Sequence, residues 1–396
     1  MISGGYNMPY KLNRQDNKIV PSFNHLYHPA TAAMGGMPQL ESQGNRPLQM
    51  TFEDQLKALI FFHLEEHVSA QHLLQVLEED HFARGVVAPE EGIKKSSFSE
   101  VINSRGLEQL AYIYQNLQGQ AVNALPKQHD DLGDLIGIDG SLIDACLSMV
   151  WADYRKGSKK ARVHLGFDLN RSIPRKIFLS DGKAGERPFV SMILSPGQTG
   201  VMDRGYQAHN RFDEWQKDEK HFVCRIKAKT KKKRIKENGI NPDSKIFYDA
   251  IVLLGTPGTN QTKEPLRVVG FKVDGVKYWI ATDRHDLTAE QIAFIYKLRW
   301  DIEKFFAWWK RHLRVYHLIA RSEYGLMVQI LSGLITYLLL AIYCHEQHNE
   351  RVSIKRVREL RIKIQNETRM INQEAAPNYE PTSENNKKIS NSYANT

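Results

Sequence analysis

The sequence predicts an α/β protein: a mixed-sheet core interrupted by a β-rich insertion, with a helical domain before it and a helical region after it. Three observations carry the prediction. Apolar residues recur at helical spacing over 51–125 and again after 288. Short apolar runs closed by Gly or Asp occupy 134–227, and Asp274-Gly275 stands between two β-branched runs as a strong hairpin signal. With 41% hydrophobic residues among 396, the chain can fill one large core or two moderate ones, in two or three domains, which excludes wholesale disorder.

Residues 1–50 hold five Gly, five Pro and five Asn and read as a disordered arm outside the core. The tail over 366–396, with seven Asn, reads the same way, so the folded material is expected over 51–365. Leu56, Leu59, Ile60, His63, Leu64 and His67, then Leu73, Leu74 and Leu77, suit amphipathic helices in a helical domain over 51–130. Within it, Lys94-Lys95 leads into two short helices joined at Gly106. These are either a DNA-binding helix-turn-helix or a plain helical hairpin.

From 131 to 226 the texture is that of strands at 135–141, 163–169, 175–180, 200–203 and 221–227, with a short helix at 188–194 and a polar helix before 221. That order resembles a ribonuclease-H-like core. A β-rich insertion follows over 227–287, with strands at 245–254, 266–273 and 276–283, and helix resumes over 288–345 to close the core. The almost wholly apolar stretch 327–344 is only 18 residues long and contains Gln329, Ser332 and Thr336, so it reads as a buried helix and not a membrane span. A basic helix is expected over 346–365.

The chain carries 54 Lys and Arg against 45 Asp and Glu, a formal charge of +9. Three cysteines with no C-x-x-C pair argue against a disulfide scaffold or a cysteine zinc site, and with no signal-like start at Met1–Tyr10 the expected location is the cytoplasm. The cations cluster. Arg225–Lys236 holds eight in twelve residues without an acid, Arg351–Lys363 holds six against Glu359, and Arg155, Lys156, Lys159, Lys160 and Arg162 form a third patch. In isolation such runs are solvated surface; in a DNA enzyme, Lys231, Lys232, Lys233 and Arg234 would track a phosphate backbone.

Thr288-Ala-Glu-Gln291 is a capping box that opens a helix bearing Tyr296, Arg299, Glu303 and Lys310. At about 100° per residue these point to roughly 0°, −60°, −20° and −40°, one narrow stripe beside the apolar edge formed by Ile295, Leu298, Ile302, Phe305, Phe306 and Trp309. Asp139 and Asp203 each end an apolar strand close before a Gly. Three carboxylates brought together repel one another and call for a divalent cation; hard oxygen ligands suit Mg²⁺ or Mn²⁺.

Ile138-Asp139-Gly140-Ser141, Asp203-Arg204-Gly205-Tyr206 and the pattern Tyr-x2-Arg-x3-Glu-x6-Lys over 296–310 together resemble the motifs of DDE transposases of the bacterial insertion-sequence-4 family. The 100 residues between Asp203 and Glu303 leave room for the insertion those enzymes carry. The resemblance implies a ribonuclease-H-like fold, with Asp139, Asp203 and Glu303 holding two Mg²⁺ ions, or Mn²⁺ in their place. It implies cut-and-paste transposition through a hairpin, on DNA inverted repeats and a target, by a homodimer in a synaptic complex. It also implies that Tyr296, Arg299, Lys310 and Arg204 grip phosphates. An aromatic residue of the insertion would stack on a flipped base. Trp279 is the candidate, with a core Trp as the commoner role for such a strand residue.

Three other readings compete. His63-Leu-Glu-Glu66-His67 formally matches an inverted zincin, without an evident third ligand. A transposase-derived DNA-binding protein that has lost catalysis would show a broken acidic triad or stripe, and neither is broken. A stand-alone nuclease would share the core without the basic patches and N-terminal helices.

Overall fold

A computed structural model describes residues 21–40, 48–89 and 91–375. Five helices come first: α1 (Ser22–Ala33), α2 (Phe52–Leu64), α3 (Ala70–Glu79), α4 (Lys95–Ser104) and α5 (Leu107–Ala124). Strands β1 (Leu135–Asp144), β2 (Asp153–Arg155), β3 (Ser158–Asp168) and β4 (Ile173–Asp181) lead to α6 (Arg187–Ile193), β5 (Thr199–Met202), α7 (His209–Lys217) and β6 (His221–Arg225). Then come β7 (Lys232–Glu237), β8 (Ile246–Leu254), β9 (Leu266–Val273) and β10 (Val276–Thr282), and finally α8 (Ala289–Leu298), α9 (Trp300–His312), α10 (Glu323–His348) and α11 (Ile354–Ala375).

The strands form one mixed sheet in the order β2-β3-β1-β5-β6-β10-β9-β8-β7, with β4 also on β3. Side chains alternate between its faces. Leu135, Val201 and Val223 join a core shared with the helices at both ends of the chain, while Ile136, Met202, Phe222 and Cys224 join a second core with Val190, Phe212 and Trp215 of α6 and α7. Strands β7–β10 extend this same sheet, because β10 pairs antiparallel with β6 at Ile280↔Arg225. The hairpin at Asp274-Gly275 forms as its sequence demands, with φ of 47° and 81° between Val273 and Val276.

α10 is the apolar helix, and it packs on α2, α4 and α5 in the interior. Its buried Gln329, Ser332 and Thr336 are all hydrogen-bonded. Gln329 Nε2 donates to His317 O at 2.7 Å, Thr336 Oγ1 to Ser332 O at 2.8 Å, and Ser332 Oγ bonds His63 Nε2 at 3.0 Å. The other His63 nitrogen lies 2.5 Å from Leu313 O, so His63 is a core residue that welds α2 to the end of α9. His67 Nδ1 stands 3.3 Å from His72 Nδ1, and Glu66 is taken by Arg314 and Arg361. The zincin-like motif therefore spends its side chains on packing.

Two boundaries differ from expectation. Residues 22–33, expected in a disordered arm, are a helix that buries Phe23, Leu26, Tyr27, Ala30 and Ala33. Their spacing is helical, but the surrounding Gly, Pro and Asn mask it in a composition count, and Pro29 lies inside the helix. At the other end α11 runs to Ala375, past the expected limit of 365. The two additions meet, with Ser22 N–H and Oγ donating to the Glu367 carboxylate at 2.9 and 2.6 Å. The expectations for 1–20, 41–47 and 376–396 lie outside the described residues. α4 and α5 are joined at Gly106, whose φ is 83° and whose absent Cβ would sit 2.3 Å from Gln55 Oε1, and both helices pack on α10. α5 contains no Lys or Arg and buries Leu110, Ile113, Tyr114 and Leu117.

Phe23→Ala is expected to lower stability by about 3–5 kcal/mol; an unchanged urea midpoint would contradict the docking of α1. Burial holds both His63 and His67 at about 4, below their usual 6.5. The unfolded chain binds protons near 6.5 that the folded chain refuses. Their contribution is therefore whole above 6.5 and lost as the pH falls towards 4. Urea midpoints across that window should drop, and drop less in His67→Gln; parallel profiles would remove His67 from the account.

Candidate active site

Strands β1 and β5 run parallel, with Leu135 opposite Thr199, Ile136 opposite Gly200 and Gly137 opposite Val201. Continuing that register by two places sets Asp139 level with Asp203. The start of the register is pinned from several sides. Thr199 N–H donates to Asp134 O at 2.8 Å, and the buried Arg284 donates to Thr199 Oγ1 at 2.8 Å and Leu132 O at 3.1 Å. Asn170 accepts from Leu135 N–H at 2.9 Å. Asp203 stands just past the end of β5, as expected. Asp139 does not end its strand: β1 continues to Asp144, because β3 pairs with it antiparallel along that length.

Asp139 Oδ1 accepts from Gly140 N–H at 2.8 Å, and Asp203 Oδ1 accepts from Gly205 N–H at 2.7 Å, capping the short turn Arg204–Tyr206. Burial pushes the Asp139 carboxyl up to about 7. The Gly140 bond and the Arg299 charge oppose the rise, and the neighbouring Glu186 and Asp203 add to it. Glu186 is a carboxylate the sequence reading missed. It precedes α6, pairs with Arg162, and fills the space over Gly140, where a Cβ would come within 2.7 Å of its Oε1. Tyr206 lies buried against the same group, and Glu186, Asp139 and Asp203 all disfavour its phenolate. The only sequence signal for Glu186 was its turn, Gly185-Glu186-Arg187-Pro188, which carries no hint of the strand it faces.

The helix expected to run unbroken from 289 through 310 is two helices joined at Arg299. There Arg299 N–H reaches Tyr296 O at 3.2 Å and Ile302 N–H reaches Arg299 O at 3.3 Å, a three-residue spacing that tightens the turn. The stripe survives locally. Arg299 donates to Glu303 Oε1 at 2.6 Å, and its guanidinium carbon lies 5.6 Å from the Tyr296 ring centre and 5.5 Å from that of Trp300. Glu303 is thus held by Arg299, whose charge also reaches Asp139. Among the described residues no group of three or more His, Cys, Asp or Glu is arranged to hold a metal ion. The donor chemistry does fit one, since Asp139 and Asp203 bring hard carboxylate oxygens to adjacent strands and the Asp203 charge adds to the rise of the Asp139 carboxyl.

Tyr296 Oη and Arg299 Nε are buried without a well-aligned hydrogen bond, although the Arg299 and Arg225 guanidiniums stand beside the phenol, and a ligand oxygen would give both groups a better partner. Burial raises the Tyr296 phenol; Arg299 and Arg225 oppose the rise. Arg225, at the end of β6, stacks over Tyr278 at 4.6 Å and joins this corner. Lys310 lies on the other side of Asp139. Its Nζ donates to Leu142 O at 2.6 Å, and burial lowers its pKa against the pull of Asp144 and Asp139.

The remaining cations divide. Arg204 is exposed beside Asp203. Lys231 lines a cavity of about 790 Å³ with Arg187, Gln207, His209, Lys227 and Lys229, and Arg187 Nε donates to Gly205 O at 2.9 Å in the Asp203 turn. Lys232, Lys233 and Arg234 belong to β7, separated from β5 by four strands in the sheet order, but Lys232 Nζ donates to Thr230 O at 2.8 Å, and Thr230 Oγ1 accepts from Gln207 Nε2 at 3.0 Å just past the Asp203 turn. Lys233 and Arg234 are exposed, and Arg234 pairs with Glu237; cations on such an edge also discourage strand addition. Lys232 Nζ sits 4.3 Å over the Trp279 ring, which also meets Phe247 and Tyr248 at 5.1 Å each. Trp279 is half-buried on the sheet surface.

A family model described as a transposase DDE domain matches residues 132–339, more than half of the chain and all of this site. Three curated proteins are similar over part of their length. A probable transposase for insertion sequence element IS5377 of Geobacillus stearothermophilus is 26% identical over 206 residues, 52% of this chain and 54% of that protein. A putative transposase, y4zB, of Sinorhizobium fredii is 26% identical over 198 residues, 48% and 56% of the two chains. A putative transposase for insertion sequence element IS4SA of Synechocystis is 24% identical over 263 residues, 64% and 72%. The chain thus spans little more than half the length of the first two.

Tyr296→Phe removes a buried hydroxyl that makes no well-aligned hydrogen bond and has the Arg299 and Arg225 guanidiniums beside it, so the stability of the folded protein should change by less than about 1 kcal/mol. A markedly lower melting temperature would show that the hydroxyl is already partnered.

Proposed function

This chain belongs to the transposase DDE-domain family, and on that premise we propose that it cleaves DNA at the inverted repeats of an insertion sequence and joins the freed ends to target DNA. The observation that carries the reading is that the parallel register of β1 and β5 brings Asp139 level with Asp203, beside the joint of α8 and α9 that offers Glu303, Arg299 and the buried Tyr296 hydroxyl. The finer terms of the proposal are a ribonuclease-H-like core with β7–β10 as its insertion, cut-and-paste transposition through a hairpin, and action as a homodimer that synapses two ends.

Asp139, Asp203 and Glu303 are the residues that would hold two Mg²⁺ or Mn²⁺ ions, which when bound activate a water or 3′-hydroxyl and stabilise the leaving oxygen of a phosphodiester. The protein's own part is positioning. In the free chain Arg299 neutralises Glu303. A phosphate arriving at the Tyr296–Arg299 corner offers the guanidinium a fork-like partner and the phenol an acceptor, competing with Glu303 and releasing its carboxylate toward the aspartates. Lys310 adds a point charge further along β1, and Arg204 one beside Asp203. The site would then assemble in response to DNA, which restrains cleavage in its absence.

Purified protein with Mg²⁺ or Mn²⁺ is expected to cut DNA carrying the repeats that flank its gene, and chelation should stop it. Glu303→Gln should keep end binding and lose cleavage, since the amide preserves shape but ligates metal poorly. Arg299→Ala and Lys310→Ala should weaken end binding and cost less cleavage than loss of an acid. Undiminished cleavage by Glu303→Gln would sink the assignment. End binding without cleavage by the wild-type protein would favour a DNA-binding protein derived from a transposase.

A further inference from the structure

Between β1 and β2 the chain makes a loop, 145–152, whose side chains sort in an unusual way. Met149 and Ala152 are fully buried, and Trp151 packs against the main core. Leu147 and Val150 point outward and are 71% and 78% exposed, the most exposed large apolar residues among those described. The loop is firmly built. Ala145 N–H donates to Lys159 O and Lys160 N–H to Ala152 O, both at 3.0 Å, clamping its two ends to β3, and Met149 N–H donates to Cys146 O at 2.9 Å inside it. Two apolar side chains on a rigid, anchored base are presented to solvent at a cost that ordinary packing does not require.

The setting of the loop indicates what it meets. Arg155 and Lys156, on the adjoining β2–β3 turn, are exposed, and among the described residues no carboxylate pairs with either. Lys159 donates to Val150 O at 3.3 Å, placing another cation at the loop. Two aliphatic side chains offer far less than the roughly 800 Å² per partner that a stable protein interface buries. Around the loop Arg155, Lys156, Lys159, Lys160 and Lys183 outnumber the paired carboxylates Asp144 and Asp153, and this surplus favours a polyanion. The loop also follows directly from β1, on which Asp139 lies five residues before Asp144. At about 3.4 Å per residue that is roughly 17 Å, and Lys310 marks the path by bonding Leu142 O between the two.

We propose that Leu147 and Val150 form a wedge that enters between stacked base pairs of DNA held at the carboxylates, with Arg155 and Lys156 on the flanking phosphates. This rests on the transposase reading and adds to it a second point of DNA distortion, separate from Trp279. Apolar side chains inserted at a base step unstack it and bend the duplex. At about 3.4 Å per base step, the roughly 17 Å from Asp139 to Asp144 at the foot of the loop spans about five steps, so a duplex running along β1 would meet the wedge at about the fifth step or just beyond it. Opening the duplex there would relax it for the distortion that strand cleavage demands.

The test uses the full chain without metal. The probe is a 30-base-pair duplex ending in the repeat that adjoins the gene, with 2-aminopurine placed in turn at each of the first ten positions. A fluorescence rise on binding, confined to one or two adjacent steps near the fifth and lost in Leu147→Ser/Val150→Ser, is expected. Loss of the wedge removes no charge, so that variant should keep the salt dependence of binding, whereas Arg155→Ala/Lys156→Ala should flatten its slope by about 0.9 for each phosphate left without its cation. A rise that persists in the serine variant, or no rise in a protein that binds and cleaves the repeat, overturns the wedge and leaves the transposase reading intact. A rise in a protein that fails to cleave once metal is added keeps the wedge and removes the catalytic reading. No binding at all overturns both. A change of oligomeric state in the serine variant without any rise assigns the loop to a protein–protein interface and also overturns the wedge.

Discussion

The short parallel pairing of β1 with β5 is what the rest of this molecule depends on. Three register pairs hold it, and a slip by one residue would turn Ile136 and Ile138 from the α6–α7 core to the helical face while moving Asp139 out of line with Asp203. The chain guards that register from outside the strands. Arg284, arriving from the far side of β10, holds Thr199 and the residue before β1's turn at once, and Asn170 closes the same end. Packing and chemistry are therefore set by one geometric choice.

Bringing carboxylates together has an electrostatic cost, and the structure meets it differently at each one. Asp139 and Asp203 take backbone N–H bonds from their own turns, Glu186 takes Arg162, and Glu303 takes Arg299. Asp139 is raised to about 7, first by its burial and then by the neighbouring Glu186 and Asp203. At the joint of α8 and α9, the Tyr296 hydroxyl and Arg299 Nε are buried donors without a well-aligned acceptor and show the opposite imbalance. A site with excess negative charge on one side and unspent donors on the other is suited to a ligand that brings both cation and phosphate.

The two apolar cores explain why so small a pairing can hold. α10 is wrapped by helices from both ends of the chain, with its Gln329, Ser332 and Thr336 bonded internally, so the helical layer behaves as one body behind the sheet. α9 lies across β1, with Ile302 against Gly137 at 3.5 Å from where a Cβ would stand, and this keeps Glu303 and Lys310 near the strand. Loops facing away from that body are where the exposed features collect: the apolar tip at Leu147 and Val150, and the cation-lined cavity beside the Asp203 turn.

Much of this was legible in the residues because it is decided over a few positions. Thr288 with Gln291 caps α8 as read, Asp274-Gly275 turns the hairpin, and the polar members of the apolar stretch mark α10 as an interior helix. Each depends on local hydrogen bonding or side-chain period, which sequence spacing records. What only the tertiary structure decided depends on partners far apart in the chain. α1 is a core helix because α5, α10 and α11 leave a place for it, and the stripe breaks at Arg299 where a tight turn passes between two packed helices. Glu186 is a neighbour of Asp139 because β3 and α6 fold back over Gly140. Lys233 and Arg234 face solvent on the edge strand β7 because sheet order, not charge density, sets their place. Sequence spacing determines which residues can share a face, and the closing of the sheet determines which faces meet.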